Sequence, residues 1–191
     1  HTPWKWHRKL FEYAKKLNIA IFSTPFDESA VDLLEKLGCK AYKIASPEIT
    51  HIPLITKVAK TGKPIIISTG LSKLEELKKA IKVVRKTGNN KIIILKCTSA
   101  YPAPTEELNL KTIKDISKKF KVHVGFSDHS IGNIAALTAV SFGAKIIEKH
   151  FKLKNNKSID SFFSADKSDF SNLIFNIRQM EKAVGKINYN V

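Results

Sequence analysis

Arginine is scarce in this strongly basic chain. Of 33 Lys and Arg residues only Arg8, Arg85 and Arg178 are arginine, against 17 acids, and the formal net charge is +16. Arginine dominates base-edge recognition and base stacking, and a nucleic-acid surface gathers its cations in one patch. Here the lysines are spread over every predicted helix, so they read as solvated faces and no nucleic-acid partner is expected. A positive field of this size would still draw in an anionic substrate. Cysteine is also rare. Cys39 and Cys97 sit in or beside apolar segments with no CxxC spacing, which suits reduced thiols in a cytoplasmic protein and excludes a thiolate metal cluster. No run of about 18 apolar residues exists, so no membrane span is expected. The opening HTPWKWHRKLFEYAKK lacks the apolar core of a signal peptide. Neither GxGxxG after the first predicted strand nor GxxxxGK[ST] occurs, which removes the common nucleotide-binding loops.

What is present is alternation. With 43% hydrophobic and 26% charged residues, the 191-residue chain can build one substantial core. Six β-branched runs, IAIFST (19–24), AYKIAS (41–46), PIIIST (64–69), KIIILKCT (91–98), VHVGFSD (122–128) and KIIEKHF (145–151), are almost continuously apolar. That pattern suits parallel strands buried on both faces. Amphipathic segments lie between them. Thr2-Pro3 suits a helix start; Asp27 can cap the next helix, and Gly38 closes it. Ser72 and Glu75 have capping-box spacing. Asn109 precedes Ile113, Ile116 and Phe120. Ser130 precedes Ile131, Ile134 and Leu137, with Gly143 as the stop. A last helix over about 168–184 carries Phe170, Leu173, Ile177 and Val184.

The sum is six strand–helix units preceded by a helix, either an open doubly wound sheet or most of a (β/α)8 barrel. Polar residues close nearly every run: Ser23-Thr24, Ser46, Ser68-Thr69, Thr98-Ser99, Ser127-Asp128-His129 and Glu148-Lys149-His150. An open sheet concentrates its chemistry at one switch point. A barrel opens all its strand ends onto one face, so the barrel is favoured.

Within that frame GFSDHS (125–130) and IIEKHF (146–151) are equivalent pieces, each an apolar run closed by an acidic residue and a histidine. His129 and His150 at adjacent strand ends would reach one divalent ion and leave its other positions open, as a catalytic ion requires. Carboxylates nearby and no thiolate make Mn²⁺ or Mg²⁺ plausible; two imidazoles also admit Zn²⁺ or Co²⁺. Lys43 is a lysine inside an apolar strand, which points to an inward anion ligand, a snorkelling stem being the alternative. Glu48 follows Ser46-Pro47 at a strand end and could handle protons, or else simply favour a helix N-terminus. By alternation Glu148 and Lys149 cannot both share the face of His150, and Glu148 is the one that does. His7, His51 and His123 read as surface or structural.

Together FSTPFD (22–27), YKIASPEI (42–49), GKPIIISTG (62–70), LKCTSAYPAP (95–104), GFSDHS and IEKHF (147–151) resemble the N-acetylneuraminate synthase family over essentially residues 2–185. Within it PWKW (3–6), YKIASPEIT and DSFFS (160–164) look most like the pseudaminate branch, with Ser161 where sialic and legionaminic branches usually carry histidine after the aspartate. The resemblance implies a (β/α)8 TIM barrel, here strands three to eight over 1–185, then at 186–191 the start of a linker to an antifreeze-like domain outside this sequence. It implies a homodimeric full-length enzyme that condenses phosphoenolpyruvate with 2,4-diacetamido-2,4,6-trideoxy-L-altrose to a nonulosonic acid and phosphate, as in lipopolysaccharide or flagellin glycosylation. The alternatives are an N-acetylneuraminate or legionaminate synthase, an inactive truncated barrel, or a lysine-rich binding protein.

The resemblance also implies roles. Thr24, Lys43, Ser46, Ser68, Thr98, Ser99, Ser127, Asp128 and Glu148 would bind substrates, the hydroxyls and Lys43 chiefly the three-carbon anion. Tyr101 would pack on the sugar's acetamido group, and Asp160 would bind sugar hydroxyls. Glu48, His129 and His150 would be catalytic, the two histidines holding the ion that acts on the sugar aldehyde as a Lewis acid. Ser158-Ile159-Asp160 stands where the family commonly reads Gly-Pro-Asp.

Overall fold

The computed structural model describes residues 2–154 and 157–189. The chain divides into two compact units, His1–Ile93 and Ile94–Val191. Strand order in the sheet follows the chain, β1-β2-β3-β4-β5.

The first unit holds α1 (Trp4–Lys16), α2 (Glu28–Lys36), β1 (Tyr42–Ile44), α3 (Ile52–Lys60), β2 (Ile65–Ser68) and α4 (Leu74–Lys86), and the start of β3 (Ile92–Cys97). β1 and β2 are parallel, with Tyr42 opposite Ile65, Lys43 opposite Ile66 and Ile44 opposite Ile67. Every residue of these two strands is buried, as their uninterrupted apolar runs require. Asp27 caps α2 by accepting from the Ala30 amide at 2.8 Å. Gly38 follows that helix with φ +73°, a left-handed geometry in which a side chain would be strained.

The run 19–24 is not a sixth strand. Among the described residues its sheet contact is a single parallel bridge from Ser23 to Tyr42. The physical reason lies at its start, where the chain is still closing α1. The Asn18 amide bonds to the Lys15 carbonyl and the Ile19 amide to the Ala14 carbonyl. The expected capping box also shifts by one residue. α4 begins at Leu74, and it is Glu76 whose carboxylate accepts from the Lys73 amide at 2.7 Å, while the Ser72 hydroxyl turns back to the Thr69 carbonyl. At the chain start Pro3, not Thr2, occupies the N-cap.

The second unit continues β3 and holds α5 (Thr112–Phe120), β4 (His123–Asp128), α6 (Ile134–Ser141), β5 (Ile146–Lys149) and α7 (Lys167–Val184). β4 and β5 are parallel, pairing Gly125 with Ile146, Phe126 with Ile147, Ser127 with Glu148 and Asp128 with Lys149. α6 begins at Ile134, later than Ser130, and buries Ala135, Ala136 and Ala139. Ser130 cannot cap it, because its amide and hydroxyl are both held by the Asp128 carboxylate. α7 is capped by Asp166, which accepts from the Ser168 and Asp169 amides; of the face expected to pack, only Leu173 is buried. Residues 185–189 continue beyond α7 without regular structure, and residues 190 and 191 of the expected linker lie outside the described residues. Among the described residues no helix is long and apolar enough to cross a membrane.

Candidate functional site

Register and alternation build the site in the second unit. Side chains two apart on a strand share a face. Ser127 and Glu148 are paired neighbours, and the Ser127 hydroxyl donates to Glu148 Oε1 at 2.6 Å. Two residues further along each chain stand His129 and His150, their ring centroids 5.3 Å apart and crossing at 72°. His129 is 6% exposed. Its Nδ1 lies 2.9 Å from the Thr98 carbonyl oxygen, which can only accept, so in the neutral ring Nδ1 is the protonated nitrogen and Nε2 the one free to ligate. Cys97 Sγ lies 3.9 Å from the same Nδ1.

Aromatic rings enclose the pair. Tyr101 lies 4.2 Å from the His129 ring and 6.0 Å from His150, and Phe163 lies 4.9 Å from His150. Asp160 Oδ2 stands 3.7 Å from His150 Nδ1. Burial lowers the His150 pKa, helped by the neighbouring His129 and opposed by Asp160 and Glu148. His150 is therefore held towards the neutral imidazole, the form that ligates metals. Burial likewise raises the Tyr101 phenol, with Cys97, Asp160 and Glu148 adding to it and a hydrogen bond with Ser99 opposing.

Two of the expected substrate ligands have other partners. The Thr98 hydroxyl donates to the Glu107 carbonyl at 3.3 Å and accepts from Lys96 Nζ at 3.2 Å. Asp128 points to the opposite side of β4 from Ser127. One carboxylate oxygen takes the Ser130 amide and hydroxyl, and the other takes Lys149 Nζ at 2.7 Å.

The first unit carries the remaining expected residues. Lys43 is 8% exposed in mid-strand, and the Ser46 hydroxyl accepts from the Gly70 amide at 2.9 Å. Ser68 Oγ and Glu48 Oε2 are buried without a hydrogen-bond partner among the described residues. Burial raises the Glu48 carboxyl, against its own backbone and His51. A buried hydroxyl without a partner costs about 1–3 kcal/mol and so marks a place where a ligand atom would be welcome. Thr24 borders a cleft of about 740 Å³ lined in part by Trp4, His7, Phe22 and Phe26.

Among the described residues no group of three or more His, Cys, Asp or Glu side chains gathers as a ready-made cage. The second unit offers two imidazoles, one with its tautomer set by a backbone carbonyl. That donor set fits an ion whose remaining positions go to substrate or water oxygen. Sequence reasoning missed Cys97, Phe163 and Lys149 as parts of this centre. Cys97 was legible as an alternation partner of Ser99, and Lys149 as the register partner of Asp128; nothing local marks Phe163.

The chain is similar to known proteins in sequence and in fold. The chain is 46% identical over 188 residues to pseudaminic acid synthase of Helicobacter pylori, covering 97% of this chain and 55% of that protein. It is also 46% identical over 184 residues to N,N'-diacetyllegionaminic acid synthase of Campylobacter jejuni, covering 95% and 55%. In structure it matches N-acetylneuraminic acid (sialic acid) synthetase of Leptospira borgpetersenii in complex with citrate. The TM-score is 0.93 at 32% identity, covering 100% of this chain and 67% of that one. The chain thus spans about half the length of the curated relatives it matches. A NeuB family model matches residues 1–189, and the chain belongs to the NeuB family.

Proposed function

We propose that the protein is the catalytic part of a nonulosonate synthase, condensing phosphoenolpyruvate with an amino-sugar aldehyde and releasing phosphate. The observation that carries this reading is the crossed His129–His150 pair at the ends of neighbouring strands, with His129 Nδ1 fixed on a carbonyl. The same reading takes the five-stranded sheet as part of a (β/α)8 barrel, and the full-length protein as a homodimer.

His129 and His150 would hold a divalent ion, Mn²⁺ or Mg²⁺ by its oxygen partners and Zn²⁺ or Co²⁺ by its imidazoles, which would supply Lewis-acid polarisation of the sugar aldehyde. Lys43 is a buried cation and Ser68 a hydroxyl with spare donor capacity; both suit the three-carbon anion's phosphate and carboxylate. Bond formation joins C3 of phosphoenolpyruvate to the aldehyde carbon. Water then adds at C2, and the C–O bond to phosphate breaks. Glu48, whose burial favours its protonated form, can hold or return a proton in that sequence. Ser127 fixes Glu148 beside the histidines, and Tyr101 and Phe163 pack against the rings. Asp160, beside His150, can accept from sugar hydroxyls.

For the acceptor we infer 2,4-diacetamido-2,4,6-trideoxy-L-altrose, the pseudaminate precursor. Ser161 supports it: a small side chain follows Asp160, and its hydroxyl is held by the Ser158 amide at 2.6 Å. A legionaminate or sialate acceptor is the second reading, supported by the equal identity to a legionaminic acid synthase. The test is phosphate release by the protein in its natural length, given phosphoenolpyruvate and each sugar in turn. The altrose derivative should react fastest, and His150→Ala should abolish release and weaken Mn²⁺ uptake. Preference for N-acetylmannosamine overturns the acceptor; equal Mn²⁺ uptake by wild type and His150→Ala overturns the site.

A further inference from the structure

Resting on the metal-site reading above, we propose that the buried Lys149–Asp128 ion pair is a positioning device that sets His129 against His150. Each member stands immediately before one of the two histidines, and the two are register partners on β4 and β5. Their side chains are 3% and 0% exposed with Nζ and Oδ2 at 2.7 Å. Because they occupy the face opposite Ser127 and Glu148, neither can touch a substrate held by the histidines.

What the pair does hold is the backbone around His129. Lys149 Nζ also donates to the Ser130 carbonyl at 2.8 Å, and Asp128 Oδ1 accepts from the Ser130 amide at 2.8 Å and hydroxyl at 2.6 Å. Ser130 is thus gripped at its amide, carbonyl and hydroxyl. The residue before His129 is tied to β5, and the residue after it to both members of the pair. The His129 carbonyl accepts from the Ala103 amide at 3.0 Å and adds a tie to a third segment.

A buried ion pair is weak evidence of stability, since well-packed apolar side chains of similar volume often do as well. Its distinctive property is direction: the ammonium binds two acceptors and the carboxylate three donors, and apolar side chains would bind none. The pair therefore transmits the position of β5, which carries His150, to the turn that carries His129. Partners that orient a ligating histidine are typically worth about 10–100-fold in metal affinity.

The test uses the protein in its natural length and Mn²⁺ alone, with free Mn²⁺ followed by electron paramagnetic resonance. Lys149→Met and Asp128→Asn should each weaken Mn²⁺ binding by about 10–100-fold. At saturating Mn²⁺ the Lys149→Met enzyme should lose kcat while its KM for phosphoenolpyruvate stays close to wild type. Folded Lys149→Met and Asp128→Asn proteins with wild-type Mn²⁺ affinity overturn the proposal. So does loss of the fold in both, which would assign the pair to stability alone. Failure of the wild type to bind Mn²⁺, or equal binding by His150→Ala, instead overturns the metal reading on which the proposal rests.

Discussion

Gly125 tests how closely the two histidine-bearing strands must approach. A Cβ placed on it would stand 2.5 Å from the Ile146 carbonyl oxygen, 2.5 Å from Leu95 Cδ2 and 3.0 Å from Ile146 Cβ. Ordinary contact begins near 3.4 Å, so two of these atoms must retreat by about 0.9 Å. Leu95 can move the end of its side chain; the Ile146 carbonyl cannot move without moving β5. Overpacking of a core typically costs about 1–3 kcal/mol. With a backbone atom as one obstacle, Gly125→Ala should sit at or above the upper end, about 3–4 kcal/mol in equilibrium urea unfolding. Widening β4 from β5 also draws Ser127 from Glu148 and His129 from His150, so Mn²⁺ affinity should fall with stability. Leu95→Ala should cost less in the Gly125→Ala background than alone, since the two sites are coupled by contact. The reasoning fails if Gly125→Ala unfolds within about 0.5 kcal/mol of wild type, or if Leu95→Ala restores it fully. Full rescue would mean the carbonyl was never an obstacle.

Two further outcomes follow from single groups. Ser68→Ala should raise KM for phosphoenolpyruvate about tenfold, the loss of one hydrogen bond to a charged ligand, without lowering Tm, because the hydroxyl has no partner in the described protein; a lowered Tm at unchanged KM would contradict its role. The Ser29 hydroxyl, and then the Ala30 amide, lower the Asp27 pKa, so the stabilisation that wild type holds over Asp27→Asn should be present above the unfolded value of about 3.9 and fade as pH falls through the folded one; a difference that persists unchanged to acid, measured by urea unfolding across pH, would refute it.

The parts of the fold that were legible in the sequence rest on burial. β1 to β5 all lie inside apolar runs; β1, β2 and most of β3 and β4 are buried as a covered parallel sheet requires, while β5 is half-buried throughout, and Asp27 and Gly38 mark a helix because their local geometries admit few other residues. Where two local choices were nearly equal, tertiary context decided. SKLEE offers one capping register from Ser72 to Glu75 and another from Lys73 to Glu76, and the second forms. Ser130 has the chemistry of a cap, but Asp128 holds it first. The run 19–24 has strand composition, yet composition cannot show that α1 takes its first amide, that of Ile19.

The candidate site divides in the same way. The histidine pair was legible because its spacing repeats a strand–helix period and its neighbours end strands. The orphan oxygens of Ser68 and Glu48 were not, since the lack of a partner is a property of three-dimensional surroundings. Alternation turns Lys149 away from His150, but it cannot show that the side chain is almost wholly enclosed there beside Asp128. One register explains both faces at once. With Gly125 opposite Ile146, the odd positions of β4 and the even positions of β5 share one side, giving Ser127–Glu148 and then His129–His150. The alternate positions meet on the other side as Asp128–Lys149. A slip of one residue would bring Lys149 among the histidines and leave Asp128 buried without its cation, a loss of several kcal/mol. The charge pair behind the strands thus opposes the single error that would dismantle the pair of histidines in front.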